Sequence, residues 1–278
     1  MPELKFFTWN LGGEQSAHHL ALQHLSALGA HTPWIACLQE LPAECEIAWA
    51  RKKHSPPEGT VVVKDADLVS TGKGRETMPS GMALVFSPLL TLVSVYADRH
   101  LKFVDARFSL SAPTKTFRVI GLHAKSAVDM QKAEDKGGSR ALLRHAINAR
   151  PIPADHTVIL GDWNSDCEAR EITSWHCFYA LHPRARPLLG DSRQNRCGCA
   201  HPPFFVVMPS NNSSLGTYAF GDSGESSSPT IDFIAVDEGT RQLMRAEILT
   251  KVAASSVASP DGAPNVSDHL PVEGTLTF

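Results

Sequence analysis

Near the C-terminus an acid and an imidazole stand side by side in Ser267-Asp268-His269-Leu270-Pro271-Val272. An aspartate can bind a divalent cation or hold a water, and a histidine can stabilise charge on a phosphoryl oxygen. Four more polar fragments lie upstream: Thr8-Trp9-Asn10, Leu38-Gln39-Glu40, Leu122-His123-Ala124 and Gly161-Asp162-Trp163-Asn164. Each stands at the end of a stretch with strand character. In a sixth fragment an acid, Asp232, is embedded in Thr230-Ile231-Asp232-Phe233-Ile234. A carboxylate inside an apolar strand is costly to bury unless it is paired, so Asp232 is expected to hold a specific partner. Singly, each fragment has a bland reading. Asn10, Asp162 and Asn164 suit turns, Glu40 suits a helix start near the dipole, and His123 suits a satisfied core position. Their joint occurrence at strand ends points instead to one site.

The elements that must position these groups are legible in outline. Leu4 to Asn10 is β-rich and stops at Gly12-Gly13. Ala17, Leu20, Ala21, Leu25 and Leu28 follow helical spacing, with Gly29 as a stop. Trp34 to Leu38 is a continuous apolar run, as in a buried strand. Pro42 opens a second helix to about Lys53, and Thr60 to Val63 is a short strand. Strands are expected at Gly81 to Phe86, Leu90 to Tyr96, Phe103 to Leu110, Thr116 to Leu122 and Thr157 to Leu160. An amphipathic helix is expected over Lys132 to Asn148. Ser165-Asp166-Cys167-Glu168 has capping-box spacing, which predicts a helix to about Tyr179. Residues 183–215 read as a surface insertion. Further strands are expected at 217–220, 230–236, 246–252 and 270–277. Many strands with interspersed helices predict one α/β domain over residues 1–278, two packed sheets flanked by helices.

Bulk properties narrow the classes. The chain has 278 residues, 42% hydrophobic and 20% charged, an ordinary globular composition. A formal net charge of −3 gives no global cationic field for non-specific nucleic-acid binding. No apolar stretch reaches the roughly 20 residues of a membrane span. Met1 to Asn10 reads as a strand rather than a signal peptide, so a cytoplasmic location is expected. Cys37, Cys45, Cys167, Cys177, Cys197 and Cys199 then read as reduced thiols. Cys197-Gly198-Cys199-Ala200-His201 is tighter than usual zinc spacing and reads as loop. Arg140, Arg144 and Arg150, and Arg184, Arg186, Arg193 and Arg196, read as solvated surface, with phosphate contact as the alternative. Asn211-Asn212-Ser213 is equally loop or phosphate-facing. No protein partner can be inferred.

From residue 8 to 272 the fragments and their order resemble the endonuclease/exonuclease/phosphatase superfamily, whose members include DNase I-like nucleases. The resemblance implies a four-layer α/β sandwich of two mostly antiparallel sheets flanked by helices, with the site at one end of the sheets. It implies Glu40 as the main Mg²⁺ or Mn²⁺ ligand, with Asn10 beside it and Asp268 as a further metal or water contact. Asp162 would orient or deprotonate the attacking water. Asn164 would bind the scissile phosphate. His269 would donate to a non-bridging oxygen, and Asp232 would fix its tautomer and favour its cationic form. His123 would protonate the leaving oxygen or bind the phosphate. In the DNase I-like branch a glutamate supports that histidine; here the corresponding stretch, Met78-Pro79-Ser80-Gly81-Met82, holds no acid, and the nearest is Glu76.

The expected function is therefore metal-dependent phosphodiester hydrolysis, with DNA or RNA as substrate. The alternatives are a phosphomonoesterase or lipid phosphodiesterase on the same site, with Phe204-Phe205-Val206-Val207 as a lipid wedge or an internal strand, and a non-catalytic binding module.

Overall fold

The computed structural model describes residues 2–28, 31–42, 60–63, 81–98, 102–111, 113–124, 153–164, 178–180, 204–211, 217, 230–259 and 264–278. Two sheets stack face to face. The first has the order β12-β15-β1-β2-β4-β3, from β12 (Met244–Ile248), β15 (Val272–Thr277), β1 (Glu3–Asn10), β2 (Trp34–Leu41), β4 (Gly81–Phe86) and β3 (Thr60–Val63). The second has the order β5-β6-β7-β8-β11-β10-β9. Its strands are β5 (Leu90–Asp98), β6 (Phe103–Ser111), β7 (Thr114–His123), β8 (His156–Asp162), β11 (Asp232–Val236), β10 (Phe204–Val207) and β9 (Phe178–Ala180). All neighbours in the two sheets are antiparallel except β1–β2, β7–β8 and β9–β10. A short hairpin of β13 (Lys251–Val252) and β14 (Ser255–Ser256) stands apart.

The period of two along each strand explains how a core ends in a site. Leu4 and Phe6 of β1, Phe117 and Val119 of β7, Val158 and Leu160 of β8, and Ile234 and Val236 of β11 belong to one buried cluster between the sheets. The same rows lead through Thr8 to Asn10, through Gly121 to His123, and directly to Asp162 and Asp232. The core's facing rows thus run straight into polar groups at one end of the sandwich. Two glycines let the sheets approach. A Cβ on Gly121 would stand 2.8 Å from Cys37 Sγ, and one on Gly274 would stand 2.5 Å from Ile234 Cδ1. The other face of the second sheet carries a separate buried cluster that includes Phe103, Ile120, Leu122, Ile159 and Phe233.

Helix α1 (Gln15–Ala27) buries Ala17, Ala21 and Leu25, as the spacing predicts. It meets the outer face of β1, where Phe7 and His24 rings lie 5.1 Å apart. On the same face Glu273 of β15 accepts from Lys5 Nζ at 3.1 Å and pairs with His24 Nε2 at 2.9 Å. Burial pushes the Glu273 carboxyl up, but the bonds from His24 and Lys5 outweigh it and hold the pKa below its ordinary value. A depressed carboxylate stabilises the fold above the ordinary carboxylate pKa, and that stability is lost as pH falls through the folded-state value. Glu273→Gln is expected to cost about 1–2 kcal/mol at pH 7. The gap to wild type should close below about pH 4; urea melts at both pH values would show it, and a gap independent of pH would contradict it.

Several sequence boundaries need correction. Phe178 and Tyr179 do not end a helix; they form β9 and pair in parallel with Phe204 and Phe205. A capping box marks where a helix can begin and carries no information about where it stops. The stretch 183–215 is not surface throughout. Phe204–Val207 is β10, with Val206 fully buried and paired to Ala235, so these residues are an internal strand and not an exposed wedge. The strand expected at 246–252 is β12, paired with β15, followed by β13, which pairs with β14 instead. Asn211 is not phosphate-facing: its amide donates to Ile248 O at 2.7 Å and accepts from Ile248 N–H at 2.9 Å. The helices expected at 42–53 and 132–148, the start of the one expected from 165, both arginine sets and the Cys197–His201 segment lie outside the described residues. Cys37 is free and buried, and burial pushes its thiol up to about 12, as suits an inert core thiol. Among the described residues no helix is long and apolar enough to cross a membrane.

Candidate active site

All six polar fragments meet at the end of the sandwich where β1, β2, β7 and β8 finish and β11 begins. Asp162 is central. In register it lies between His123 of β7 and Asp232 of β11. Its Oδ2 accepts from Asn10 Nδ2 at 2.9 Å across the sheets, and its Oδ1 accepts from the Asn164 backbone N–H at 2.7 Å. Gly161, just before it, has φ +146°, and a Cβ there would meet the Leu122 carbonyl oxygen at 1.9 Å. Only glycine lets β8 run this close to β7 at the approach to Asp162.

Burial, and then the negative charge of Asp232, raise the Asp162 carboxyl to about 7, although His269, Asn10 and Asn164 pull the other way. Beside it His269 Nδ1 bonds Asp232 Oδ2 at 2.7 Å. Burial opposes a charged ring, but the charge and hydrogen bond of Asp232 prevail and hold His269 up to about 10. The ring is therefore an imidazolium near neutral pH, its Nδ1–H donated to Asp232. Asp162, Asp232 and His269 each offer a ligand atom within 4.8 Å of the others. A protonated ring has no Nδ1 lone pair for a cation, so this buried trio reads as an acid–base group rather than a metal cage.

The oxygen ligands for a hard cation lie next to it. Glu40 and Asp268 line an open cleft of about 430 Å³ together with Gly12, Glu14 and Ser267. Burial above all raises the Glu40 carboxyl, with Asp268 adding to the rise and an Asn10 hydrogen bond opposing it. Two carboxylates and the Asn10 amide oxygen, which already accepts from Gly12 N–H at 3.0 Å, are the donor set that Mg²⁺ or Mn²⁺ prefers. The residues fit such an ion.

Two site residues hold strained backbone. Glu40 has φ +49° and Asn164 has φ +46°, a region that residues with a Cβ rarely adopt. Glu40 sits where the β2–β4 register shifts between Leu38 and Leu41; such irregularities re-aim side chains. The backbone is pinned by the Gly13 N–H bond to Glu40 O at 2.9 Å. Glu40→Gly should therefore be more stable than Glu40→Ala by about 1 kcal/mol, the reverse of the usual order. Urea melts of the two variants would decide; a more stable Ala variant would mean the strain is absent.

His123 is fixed by its backbone N–H on Lys102 O at 2.9 Å. Its Nε2 lies 3.5 Å from Glu40 Oε1 and 3.7 Å from Asp162 Oδ2. The neighbours the sequence could not supply are thus the site's own acids. Asn164 donates its amide to Ala124 O at 2.7 Å. Asp268 is the most open of the set, with its side chain 55% exposed and 3.9 Å from His269 Nε2. All eight residues singled out in the sequence converge here. Support residues were missed: Trp9 Nε1 donates to His269 O at 2.9 Å, Ser267 Oγ donates to Asn10 O at 2.8 Å, and Thr217 Oγ1 accepts from Asp232 N–H at 3.0 Å. Trp9 and Ser267 stand inside the quoted fragments, but nothing local in the sequence marks Thr217.

The sequence matches the Endonuclease/Exonuclease/phosphatase family over residues 7–269. A search of curated sequences gives no match. Among solved structures, a humanised TDP2 of D. rerio is 12% identical, with 99% of each chain covered and a TM-score of 0.55. The 3′ phosphatase NExo from Neisseria, bound to a product DNA hairpin, is 16% identical over 99% of each chain, with a TM-score of 0.56. The human nocturnin catalytic domain with bound sulfate is 14% identical, covering 100% of this chain and 94% of that one, with a TM-score of 0.51. At these identities the likeness is one of fold.

Proposed function

The chain belongs to the endonuclease/exonuclease/phosphatase family, and from that premise we propose that it hydrolyses phosphodiester bonds of DNA or RNA with a divalent metal and an in-line water. One observation carries the reading. A carboxyl raised to about 7, Asp162, and an imidazolium held up to about 10, His269, stand side by side beside an oxygen-rich cleft. Hydrolysis needs a base to take a proton from water and a cation to meet charge growing on the phosphate.

In this reading Asp162 accepts the proton as the water oxygen bonds to phosphorus. Asn10 and the Asn164 N–H hold the carboxylate oriented for that transfer. His269, kept cationic by Asp232, donates from Nε2 to a non-bridging oxygen. The phosphorus–oxygen bond opposite the water breaks, and His123, in contact with Glu40 and Asp162, returns a proton to the departing oxygen. Asn164, beside Asp162, binds the phosphate. Mg²⁺ or Mn²⁺ held by Glu40, Asp268 and the Asn10 amide oxygen would supply positive charge to the phosphate and the leaving oxygen.

Nucleic acid is favoured because the family description names endonucleases and exonucleases and NExo is bound to product DNA. The test is a substrate panel with Mg²⁺ or Mn²⁺: single- and double-stranded DNA, RNA, abasic DNA, sphingomyelin and a nucleotide monoester. Cleavage of a nucleic acid by wild type and not by Asp162→Ala is expected. Turnover of lipid or monoester alone would overturn the substrate assignment.

A further inference from the structure

Thr217 stands outside every fragment that carries the chemistry, and it is fully buried. Its Oγ1 accepts from the backbone N–H groups of Ile231 at 2.9 Å and Asp232 at 3.0 Å. Its own carbonyl accepts from the Leu270 N–H at 2.7 Å. Asp232 opens β11, and Leu270 follows His269 directly. One residue is therefore bonded to both segments whose side chains meet in the 2.7 Å His269–Asp232 contact. The other supports hold one segment each: Trp163 N–H binds Ile231 O, and Trp9 Nε1 and Ser267 Oγ bind the backbone of His269.

We propose that Thr217 is a positioning residue that sets Asp232 against His269 and so aims the imidazolium at the scissile phosphate. The idea rests on the proposed hydrolysis only for its kinetic consequence; the geometric part stands apart from it. A hydroxyl can accept from two N–H groups at once, whereas a valine of the same shape accepts from none. Thr217→Val leaves the Ile231 and Asp232 N–H groups without that acceptor, so the start of β11 shifts relative to the segment after His269. A displacement of this kind acts on the oriented transition state more than on substrate binding.

The test compares Thr217→Val and Thr217→Ser with wild type on the nucleic acid that wild type cleaves. Thr217→Val should lower kcat by about 10- to 100-fold with little change in KM, and Thr217→Ser should restore kcat to near wild type. On an Asp232→Asn background, Thr217→Val should cost kcat nothing further, because it acts through that carboxylate. Equal kcat for Val and wild type, a Ser variant as slow as Val, or full additivity with Asp232→Asn would each overturn the proposal. Proton NMR supplies a readout that needs no turnover. A low-field Nδ1–H resonance of His269 should be present in wild type and Thr217→Ser and broadened or lost in Thr217→Val. If wild type cleaves no phosphoester, the hydrolytic reading falls while this resonance still decides the role of Thr217. Should Thr217→Val fail to fold, Thr217→Ala takes its place; failure of both, with Thr217→Ser folded, would assign the residue to folding alone and reject the proposal.

Discussion

Asp162→Asn is expected to lower kcat by about a thousandfold, within the range of a lost general base, while leaving the fold intact. The variant keeps the shape of the carboxylate and its place between His123 and Asp232, but it cannot take a proton from water. The pH profile separates this role from a structural one. Because burial and the neighbouring Asp232 raise the wild-type group to about 7, activity should climb through that pH as the carboxylate ionises. Residual activity of the variant should lack this limb. Stability gives an independent check with a fixed sign. A carboxyl whose folded pKa exceeds its unfolded value favours the fold below the unfolded pKa, near 4, and that contribution is lost as pH rises through about 7. In metal-free protein the melting temperature of Asp162→Asn should therefore gain on wild type between pH 5 and pH 8. A difference that stays flat over this window would show that Asp162 titrates normally.

Asp232→Asn should have the second-largest effect. Removing its charge takes away the main cause that holds His269 up to about 10. Desolvation of the ring, with a side chain only 5% exposed, then favours the neutral imidazole. The predicted loss in kcat at pH 8 is about 10²- to 10³-fold, the size seen when one oriented donor to a developing oxyanion is removed. The alkaline limb of the profile should also move down by more than one pH unit, toward the ordinary histidine value near 6.5. His269→Ala should cost a similar factor, and the double variant little more, because the two residues act as a unit. An alkaline limb that stays in place in Asp232→Asn would show that Asp232 does not set the charge of His269.

The sequence made the site's members legible because each stands at or beside one end of a strand, and period-two rows carry the same face from core to end. Asp232 was legible on energetic grounds alone, since a carboxylate within Ile231-Asp232-Phe233 demands a partner. The partner is His269, 37 residues away in sequence. What stayed hidden was non-local. The register shift that re-aims Glu40 depends on how β2 pairs with β4. Thr217 is an ordinary strand-like residue until β11 and the segment after His269 are folded against it. The acids facing His123 come from β2 and β8, and Glu40 is far from it in sequence. Where both sheet faces are buried, alternation disappears, and a short apolar run can be read as an internal strand or as an exposed wedge. β10 reads as Phe204-Phe205-Val206-Val207, with no polar beat to place it in a sheet.

The most direct measurement is the rate at which purified protein cleaves an end-labelled oligonucleotide as Mg²⁺ or Mn²⁺ is titrated in, with EDTA and Asp162→Asn as blanks. The predicted result is saturable, metal-dependent cleavage by wild type that EDTA abolishes and the variant lacks. Cleavage that persists in EDTA, or that Asp162→Asn performs at the wild-type rate, would contradict the assignment of this site to metal-dependent phosphodiester hydrolysis.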